Sequence, residues 1–240
     1  MKLGIIQLRI EENVERNIQK VNDLTSNYND TIFLLPELFT TGFNYDLIKM
    51  LDESHIKLLD SLNKNNIFMG SIVRKKDSSY YNSFFVKYKN GIYFIYDKTN
   101  LFPLMGEDKY FSPGNGYYTF EINNITAGCA ICFDLRFCEI FFRLRKNGAK
   151  IVFLPAEWPK KRIEHLKILS KARAIENQYY FIVSNAVGNT WSENFGGNSM
   201  IIDPWGNVLK TAADREDIAI VDEIDFNLVD EVRNTIPMRC

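Results

Sequence analysis

Short apolar runs typical of buried strands alternate along the chain with apolar residues at helical spacing. Thr31–Leu35 is one such run, and its uninterrupted apolar character favours a strand that is buried on both faces. From Val14 to Leu24, apolar residues recur every three or four positions, which predicts an amphipathic helix of about 18 residues. Strands interleaved with helices in this way are typical of an α/β protein with a large sheet.

The same patterns predict about a dozen strands and four or five helices over the whole chain. The predicted strands are Lys2–Leu8, Thr31–Leu35, Ile67–Val73, Tyr80–Tyr88, Ile92–Tyr96, Tyr117–Ile122, Ile125–Ile131, Ile151–Leu154, Tyr179–Ser184, Met200–Ile202, Val208–Leu209 and Ile218–Val221. The predicted helices after the first are Leu47–Leu62, Cys138–Lys146 and one around Arg162–Glu176. Asn90-Gly91 predicts a hairpin between two of the strands. No linker-like segment divides the chain, so residues 1–240 are expected to form a single domain with a doubled sheet.

Composition and charge argue against several classes of function. Of the 240 residues, 46% are hydrophobic, which is ample for one sizeable core. The 29 basic and 30 acidic residues leave a net charge of -1, so we expect no nucleic-acid partner and no binding to anionic membranes. No run approaches ~18 uninterrupted apolar residues, so no segment is expected to span a bilayer.

Histidine and cysteine are scarce. With His55 and His165 as the 2 histidines, a His-rich metal centre cannot be assembled and imidazole chemistry is not expected. The 4 cysteines are Cys129, Cys132, Cys138 and Cys240. The terminal Cys240 is a predicted spot for adventitious oxidation. The N-terminal apolar stretch is broken by Gln7 and is too short for a signal peptide, so a cytoplasmic protein with reduced thiols is expected.

Three reactive side chains share one setting, just beyond the ends of predicted strands. They are Glu37, Lys98 and Cys132. Open sheets place their binding crevices at strand ends, so these residues can meet there although they are distant in sequence. The chemistry then divides among them: the carboxylate takes the thiol proton, the thiolate attacks, and the ammonium stabilises both thiolate and oxyanion.

Each of the three also has an unreactive interpretation. Charged residues such as Glu37 and Lys98 often follow strands for solubility, and a free cysteine is most often a small buried hydrophobe. Cys132 is less ordinary because it opens a strand-to-helix turn, Cys132–Arg136, whose layout is similar to a nucleophile elbow. Cys129 has redox spacing to Cys132, but it lies inside a predicted strand and is expected to face the opposite side. Zinc would need two more ligands, so no metal site is expected.

Six motifs, in one order along nearly the whole chain, are similar to those of the nitrilase superfamily of carbon–nitrogen hydrolases. They are Leu34–Gly42, Tyr96–Phe102, Gly106-Glu107, Ala130–Phe137, Ala172–Gln178 and Ser199–Gly206. The first, second and fourth resemble the family's glutamate, lysine and cysteine motifs. Three positions depart from the family pattern, since Asn100, Cys138 and Asn198 stand where His, Pro and His are common. We expect these departures to adjust packing or substrate fit.

The resemblance implies an α-β-β-α sandwich of four layers, usually paired into a homodimer, and a cysteine mechanism without a cofactor. Glu37 would deprotonate Cys132, and the thiolate would attack an amide carbon to give a thioester. The Lys98 ammonium and the backbone N–H of Phe133 would hold the oxyanion, and Glu107 would position Lys98 or the substrate. Family members usually continue beyond the point where this chain ends, with a tail that crosses to the partner subunit.

Three further stretches resemble the bacterial ω-amidase branch of the superfamily, which acts on 2-oxoglutaramate. These are Leu101–Asp108, Pro155–Pro159 and Glu231–Pro237. The resemblance implies hydrolysis of the terminal amide of a small 2-oxo acid to the carboxylate and ammonia. A distal carboxylate on such a substrate needs a cation or several N–H donors. The candidates for this pocket are Arg136, Glu157 and Trp158.

The sequence also allows other functions. A deaminated-glutathione amidase, another amidase or a carbamoylase of the superfamily would share the three reactive residues. A non-catalytic binding protein on the same fold is a further alternative, against which the presence of Glu37, Lys98 and Cys132 argues. A thiol-redox role is the last alternative, and it would depend on Cys129.

Overall fold

Two six-stranded sheets form the centre of the fold. The computed structural model describes residues 1–89, 91–190 and 193–238. Asn90 of the predicted hairpin turn and the terminal Cys240 therefore lie outside the described residues. No helix in the described part is long and apolar enough to cross a membrane.

The described elements follow the predicted alternation of strands and helices. The strands are β1 (Lys2–Gln7), β2 (Thr31–Leu34), β3 (Ile67–Lys76), β4 (Ser79–Tyr88), β5 (Gly91–Asp97), β6 (Thr119–Ile122), β7 (Ile125–Cys129), β8 (Ile151–Ala156), β9 (Tyr180–Asn185), β10 (Val187–Asn189), β11 (Asn194–Gly196), β12 (Met200–Ile202), β13 (Val208–Thr211) and β14 (Ile218–Glu223). The α-helices are α1 (Val14–Thr25), α2 (Tyr45–Met50), α3 (Cys138–Lys146), α4 (Ile163–Asn177) and α5 (Asn227–Thr235). Short 3-10 helices are found at Glu53–Ser61, Pro103–Met105, Glu107–Lys109, Cys132–Arg136 and Lys160–Arg162.

The two large sheets share one plan, with parallel strands inside and antiparallel strands at the edges. The first sheet has the order β14-β1-β2-β3-β4-β5, in which β1, β2 and β3 run parallel. The second has the order β13-β12-β9-β8-β7-β6, in which β7, β8 and β9 run parallel. Because such inner strands are buried on both faces, their sequences are the continuous apolar runs seen in the pattern.

Helices cover the outer face of each sheet, so the protein has four layers. Between the sheets, Ile5 of β1 and Phe153 of β8 belong to one core. The next residue, Ile6, points to the other face and packs in a separate cluster with Ile18 of α1. Helices α3 and α4 cover the second sheet, where the Phe141 ring of α3 packs edge-on against a ring of β9 with centroids 5.7 Å apart. The predicted α-β-β-α sandwich is confirmed.

The prediction of a single helix at Leu47–Leu62 is wrong. The chain forms α2, leaves the helical conformation at Leu51 with ψ 136°, and then begins the 3-10 helix Glu53–Ser61. The Asp52 carboxylate accepts a hydrogen bond from the Ser54 N–H at 2.8 Å and so caps the second helix. The apolar spacing continues across the break, which is why the pattern did not reveal it.

Four other differences concern weakly patterned segments or the lengths of elements. The hairpin β10–β11 was not predicted because each of its three-residue strands contains a single apolar side chain, Val187 or Phe195, and so leaves no apolar run. Helix α5 was not predicted because it buries only Val229 and Val232. The strand predicted at Ile125–Ile131 ends at Cys129, and α1 has 12 residues, fewer than the predicted length.

Candidate active site

Three strand ends bring Glu37, Lys98 and Cys132 together. Glu37 follows β2, Lys98 follows β5, and Cys132 follows β7 of the other sheet. The first two side chains are fully buried, and 8% of Cys132 is exposed. Lys98 Nζ donates a hydrogen bond to Glu37 Oε1 at 2.7 Å, and the Glu37 carboxyl is hydrogen-bonded to the Cys132 thiol. An acid, a cation and a thiol from both sheets thus meet in one buried cluster.

A second carboxylate, Glu107, contacts the same ammonium. Lys98 Nζ donates to Glu107 Oε2 at 2.7 Å and to Oε1 at 3.0 Å. The Phe102 N–H donates to Glu107 Oε2 at 2.7 Å. Gly106, at φ +70°, makes the left-handed turn that begins the helix carrying Glu107, a conformation that glycine adopts without steric cost. Two buried carboxylates therefore hold the Lys98 ammonium in one position.

Asn82 of β4 completes this network, and the sequence analysis did not identify it. Its Nδ2 donates to Glu37 Oε1 at 2.8 Å and to Glu107 Oε1 at 3.0 Å. Its backbone carbonyl accepts a hydrogen bond from the Lys98 N–H at 2.8 Å. The available signal was a fully buried amide in an otherwise apolar strand, because a buried polar side chain needs specific partners.

A strained turn presents the Cys132 side chain. Cys132 has φ +44°, a left-handed conformation that is costly for a residue with a β-carbon. The buried Asp134 carboxylate holds this turn by accepting hydrogen bonds from the Ile131 N–H at 2.9 Å and the Tyr96 hydroxyl at 2.7 Å. Asn100 Nδ2 donates to the same carboxylate at 2.9 Å. The predicted elbow is present, and Asn100, one of the departures from the family pattern, helps to fix it.

Burial and neighbouring charges set the protonation of these groups. Burial raises the pKa of the Glu37 carboxyl, against the opposing effect of the Lys98 ammonium. Burial alone would lower the pKa of Lys98, but Glu107 and Glu37 outweigh it and hold this pKa well above its usual range. Burial and the Glu37 carboxylate raise the pKa of the Cys132 thiol well above its ordinary value. The thiol therefore keeps its proton at rest, and a base must remove it during attack.

Glu157 follows β8 and adds a carboxyl group beside this cluster. Its backbone N–H donates to Glu37 Oε2 at 3.1 Å and also hydrogen-bonds the Cys132 sulfur. Its side chain is 2% exposed, and neither carboxyl oxygen has a hydrogen-bond partner. Burial, then the Glu37 carboxylate, raise the pKa of Glu157 well above its ordinary value. Its surroundings therefore favour the protonated, uncharged form of Glu157.

A small pocket opens over the cluster. It encloses about 320 Å³ of space between atoms, part of which is open to solvent. Its apolar wall consists of Phe43, Phe102, Met105, Phe133, Trp158 and Pro159. Its polar wall consists of Lys98, Cys132, Arg136, Glu157 and Arg162. The predicted pocket residues Arg136, Glu157 and Trp158 all line it, and so does Phe133, next to Cys132.

Arg162 was not identified from the sequence. Its guanidinium lies over the Phe102 ring at 5.5 Å, and that of Arg136 lies over the Trp158 ring at 5.1 Å. Trp158 Nε1 donates to the Arg162 carbonyl at 2.8 Å and so fixes the turn that carries Arg162. Among the described residues, no carboxylate forms an ion pair with Arg136 or Arg162. The pocket thus offers two cations for a negatively charged ligand.

The histidines and Cys129 have no place among the pocket-lining residues. His165 Nδ1 lies 3.3 Å from Arg136 Nη2, while His55 is buried against the Val73 carbonyl. Cys129 is fully buried in β7, and burial raises its pKa, the opposite of what a reactive dithiol needs. In the described part of the chain, no three His, Cys, Asp or Glu side chains are grouped so that they could hold a metal ion.

Comparison with known proteins identifies the family. The sequence profile described as "Carbon-nitrogen hydrolase" matches residues 2–234. A 2-oxoglutaramate amidase of Bacillus subtilis (strain 168) is 38% identical over 215 residues, which cover 86% of this chain and 83% of the relative. A deaminated glutathione amidase of Dictyostelium discoideum is 31% identical over 268 residues, which cover 99% of this chain and 92% of the relative. The chain belongs to the carbon–nitrogen hydrolase family, so the predicted resemblance is confirmed.

Solved structures share the fold. A CN-hydrolase superfamily protein of Xanthomonas campestris, with an arsenic adduct in its active site, has a TM-score of 0.89 at 21% identity and covers 99% of this chain and 95% of its own. Nit3 of Saccharomyces cerevisiae, a member of branch 10 of the nitrilase superfamily, has a TM-score of 0.86 at 22% identity, with 99% and 94% covered. The fold is therefore the α/β fold of this superfamily, and the chain is a hydrolase of carbon–nitrogen bonds.

Proposed function

We propose that the chain is an amidase that hydrolyses the terminal amide of a small 2-oxo acid, such as 2-oxoglutaramate, to the carboxylate and ammonia. The observation that carries the proposal is the cluster of Glu37, Lys98 and Cys132 beside a small pocket that also holds two guanidinium groups. The cluster supplies a base, a cation and a thiol, and the guanidiniums suit a carboxylate. The Bacillus subtilis relative named 2-oxoglutaramate amidase supports this choice of substrate.

The first half of the reaction forms a thioester. Glu37 takes the thiol proton of Cys132 as the sulfur bonds to the amide carbon, and the carbonyl electron pair moves onto oxygen. The Lys98 ammonium and the Phe133 N–H stabilise this oxyanion. When the tetrahedral intermediate collapses, the C–N bond breaks and Glu37 returns the proton to nitrogen, which leaves as ammonia.

The second half consumes water. Glu37 takes a proton from a water molecule, whose oxygen bonds to the thioester carbon, and the C–S bond then breaks. The product is the carboxylic acid, and the Cys132 sulfur recovers a proton. The raised pKa of Glu37 suits both steps, because a group with a pKa nearer neutrality exchanges protons more readily in either direction. Glu107 and Asn82 position Lys98 and Glu37 throughout.

The two guanidiniums define the other end of the substrate. Arg136 and Arg162 both line the pocket, and each is held against an aromatic ring. Arginine binds a carboxylate through two parallel hydrogen bonds, and a guanidinium without an ion-pair partner is ready to do so. Trp158 packs beneath Arg136 and, through its indole N–H, fixes the turn that carries Arg162. These contacts favour a short anionic amide over an uncharged one.

A substrate comparison tests the proposal. Ammonia release by the full chain is measured with 2-oxoglutaramate, deaminated glutathione and a simple nitrile, and we expect the highest kcat/KM for 2-oxoglutaramate. Arg162→Gln should raise KM for that substrate about tenfold and change turnover of an uncharged amide less. Arg16→Gln, an exposed arginine of α1, is the control. No activity on 2-oxoglutaramate together with turnover of either other compound would sink the substrate assignment.

We also propose that two copies pair through the outer faces of α3 and α4. Phe142, Ile168 and Ile175 on these helices are 43%, 64% and 52% exposed, and clustered exposed apolar side chains are typical of interfaces. Sedimentation should give a dimer for the parent and a monomer for Ile168→Glu, while Met50→Glu on α2 should have no effect. A monomeric parent would contradict the pairing.

We further propose that the enzyme works in the cytoplasm. Free thiols at Cys129, Cys132 and Cys138 support a reducing compartment.

A further inference from the structure

Glu157 is a buried carboxyl group that the mechanism above does not use. It lines the pocket beside Cys132, is 2% exposed, and both of its side-chain oxygens lack a hydrogen-bond partner. Burying a polar group without a partner costs free energy, so such a group in a pocket marks a contact that a ligand completes. The chemistry of that contact follows from which other carboxyl oxygens near Lys98 are already occupied.

The acceptor positions of Glu37 are taken. Its Oε1 accepts hydrogen bonds from Lys98 at 2.7 Å and Asn82 at 2.8 Å. Its Oε2 accepts the Glu157 N–H at 3.1 Å, and the carboxyl also has a hydrogen bond with the Cys132 thiol. A carboxylate oxygen has about two lone pairs. Three of its four acceptor positions are therefore filled, and the remaining one faces the Cys132 thiol that Glu37 must deprotonate.

Glu107 is occupied in the same way. Its Oε1 accepts hydrogen bonds from Lys98 and Asn82, each at 3.0 Å. Its Oε2 accepts from Lys98 and from the Phe102 N–H, each at 2.7 Å. Among the described residues lining the pocket, Glu157 is thus the carboxyl group with acceptor capacity to spare.

We propose that Glu157 is a specificity-determining residue whose uncharged carboxyl group accepts a hydrogen bond from the NH₂ group of the bound primary amide. The inference rests on the proposed amidase function and extends it to how the enzyme selects amides over esters. The amide oxygen is directed to Lys98 and the Phe133 N–H, so the two N–H bonds of the same group need an acceptor elsewhere. An ester has no such hydrogens and gains nothing from Glu157.

The uncharged form of Glu157 follows from its surroundings. Its backbone N–H contacts Glu37, and the charges that act on its carboxyl are those of Glu37, Lys98 and Glu107. One ammonium already faces two carboxylates there, so a third carboxylate would leave two uncompensated negative charges in a buried site. A neutral acid keeps an acceptor oxygen for the amide and does not repel an anionic substrate.

Two substitutions separate this contact from a packing role. Glu157→Leu fills the same space with an apolar side chain and so removes the acceptor. Glu157→Gln replaces the carboxyl group with an amide, which is an uncharged acceptor. For each variant, kcat/KM is measured for 2-oxoglutaramate and for the methyl ester at the same carbon, which forms the same thioester. We expect Glu157→Leu to lower the amide-to-ester ratio of kcat/KM by about 10- to 100-fold and Glu157→Gln to recover at least about tenfold of that loss. Glu15→Leu, an exposed glutamate of α1, is the control.

The outcomes distinguish this inference from the substrate assignment. An unchanged amide-to-ester ratio in Glu157→Leu overturns the contact, and so does a folded Glu157→Gln that is no better than Glu157→Leu. If Glu157→Leu does not fold, the ratio in Glu157→Gln decides alone: a ratio within about tenfold of the parent supports the contact, and a larger fall overturns it. If the parent prefers another amide, the substrate assignment fails while the same comparison with that amide and its ester still tests Glu157. A parent that hydrolyses no amide overturns both.

Discussion

Two groups of polar side chains lie at the pocket, one beneath it around Lys98 and one in its wall, and they differ in how far their hydrogen bonds are satisfied. Around Lys98, the oxygens of Glu37 and Glu107 all have partners within the protein, supplied in part by Asn82. Glu157 has none, and no described carboxylate forms an ion pair with the guanidiniums of Arg136 and Arg162. In the first group, Asn82 Oδ1 has no partner, but its Nδ2 bonds both carboxylates. The carboxylates of the first group are therefore held in place before substrate arrives, whereas the second group has its interactions still to make.

This difference separates the residues that carry out the reaction from those that bind the substrate. Buried polar groups with every partner in place are rigid, which suits residues that must hold a proton and an oxyanion in fixed positions. Buried polar groups without partners lower the stability of the free protein, and they are tolerated where a ligand supplies the missing contact. Substitutions in the first group should therefore affect turnover most, and those in the second should affect substrate choice or stability.

The largest effect is expected at the centre of the satisfied group. Lys98→Met should lower kcat/KM for the amide by at least about 10³-fold, because the oxyanion loses its cation. It should also cost roughly 3–5 kcal/mol of unfolding free energy, because two buried carboxylates lose their partner. Ammonia release and urea unfolding measure the two effects. Lys87→Met, at a buried lysine of β4, is the control, and a Lys98→Met protein with near-parent turnover would contradict the assignment.

A smaller effect is expected when a positioning contact is lost. Glu37 acts as a base only when ionised, so kcat/KM falls as pH falls through its raised pKa. Asn82→Ala removes a hydrogen bond to the ionised form and should move this acidic limb upward by about one pH unit, with a roughly tenfold loss at pH values on the limb and little loss well above it. Asn177→Ala, at a buried amide of α4, should leave the limb in place. An Asn82→Ala profile that is lower but unshifted indicates a packing role instead.

The smallest effect concerns the unsatisfied carboxyl group. Because the pKa of Glu157 is raised on folding, the folded chain keeps a proton that the unfolded chain has lost above about pH 4.3. Unfolding free energy should therefore fall with rising pH, with a contribution from Glu157 of up to about 1.4 kcal/mol per pH unit until its folded pKa is reached. Glu157→Gln should remove this contribution in urea unfolding between about pH 5.5 and about pH 8. Parallel pH dependences for parent and variant would show that Glu157 is ionised in the folded protein.

Much of the fold and the reactive centre could be predicted from the sequence. Buried parallel strands leave continuous apolar runs in the sequence, and side chains at their ends meet in one crevice. The sequence alone could therefore predict that Glu37, Lys98 and Cys132 lie together. Membership of the family was predicted from six ordered motifs and is confirmed by the match over residues 2–234. The roles of the three residues, and the single-domain organisation, stay predictions.

The remaining features depend on contacts between distant segments. Asn82 lies in a strand whose neighbours give no hint that its amide bridges Glu37 and Glu107. Arg162 stands at the start of a predicted helix, and its place in the pocket depends on the Trp158 indole. The break at Leu51 was hidden because helical spacing continues beyond it. Which polar groups are satisfied is a property of the folded chain, and local pattern does not report it.

The most direct measurement of the cysteine mechanism is rapid-quench mass spectrometry of the enzyme during turnover of 2-oxoglutaramate. We predict a transient mass increase equal to the mass of the substrate less that of ammonia, located on the peptide that contains Cys132 and formed as ammonia is released. Cys132→Ala should show neither the adduct nor turnover, while Cys129→Ser should show both. Undiminished ammonia release by a folded Cys132→Ala protein, or an acyl group on a different residue, would contradict the thioester mechanism.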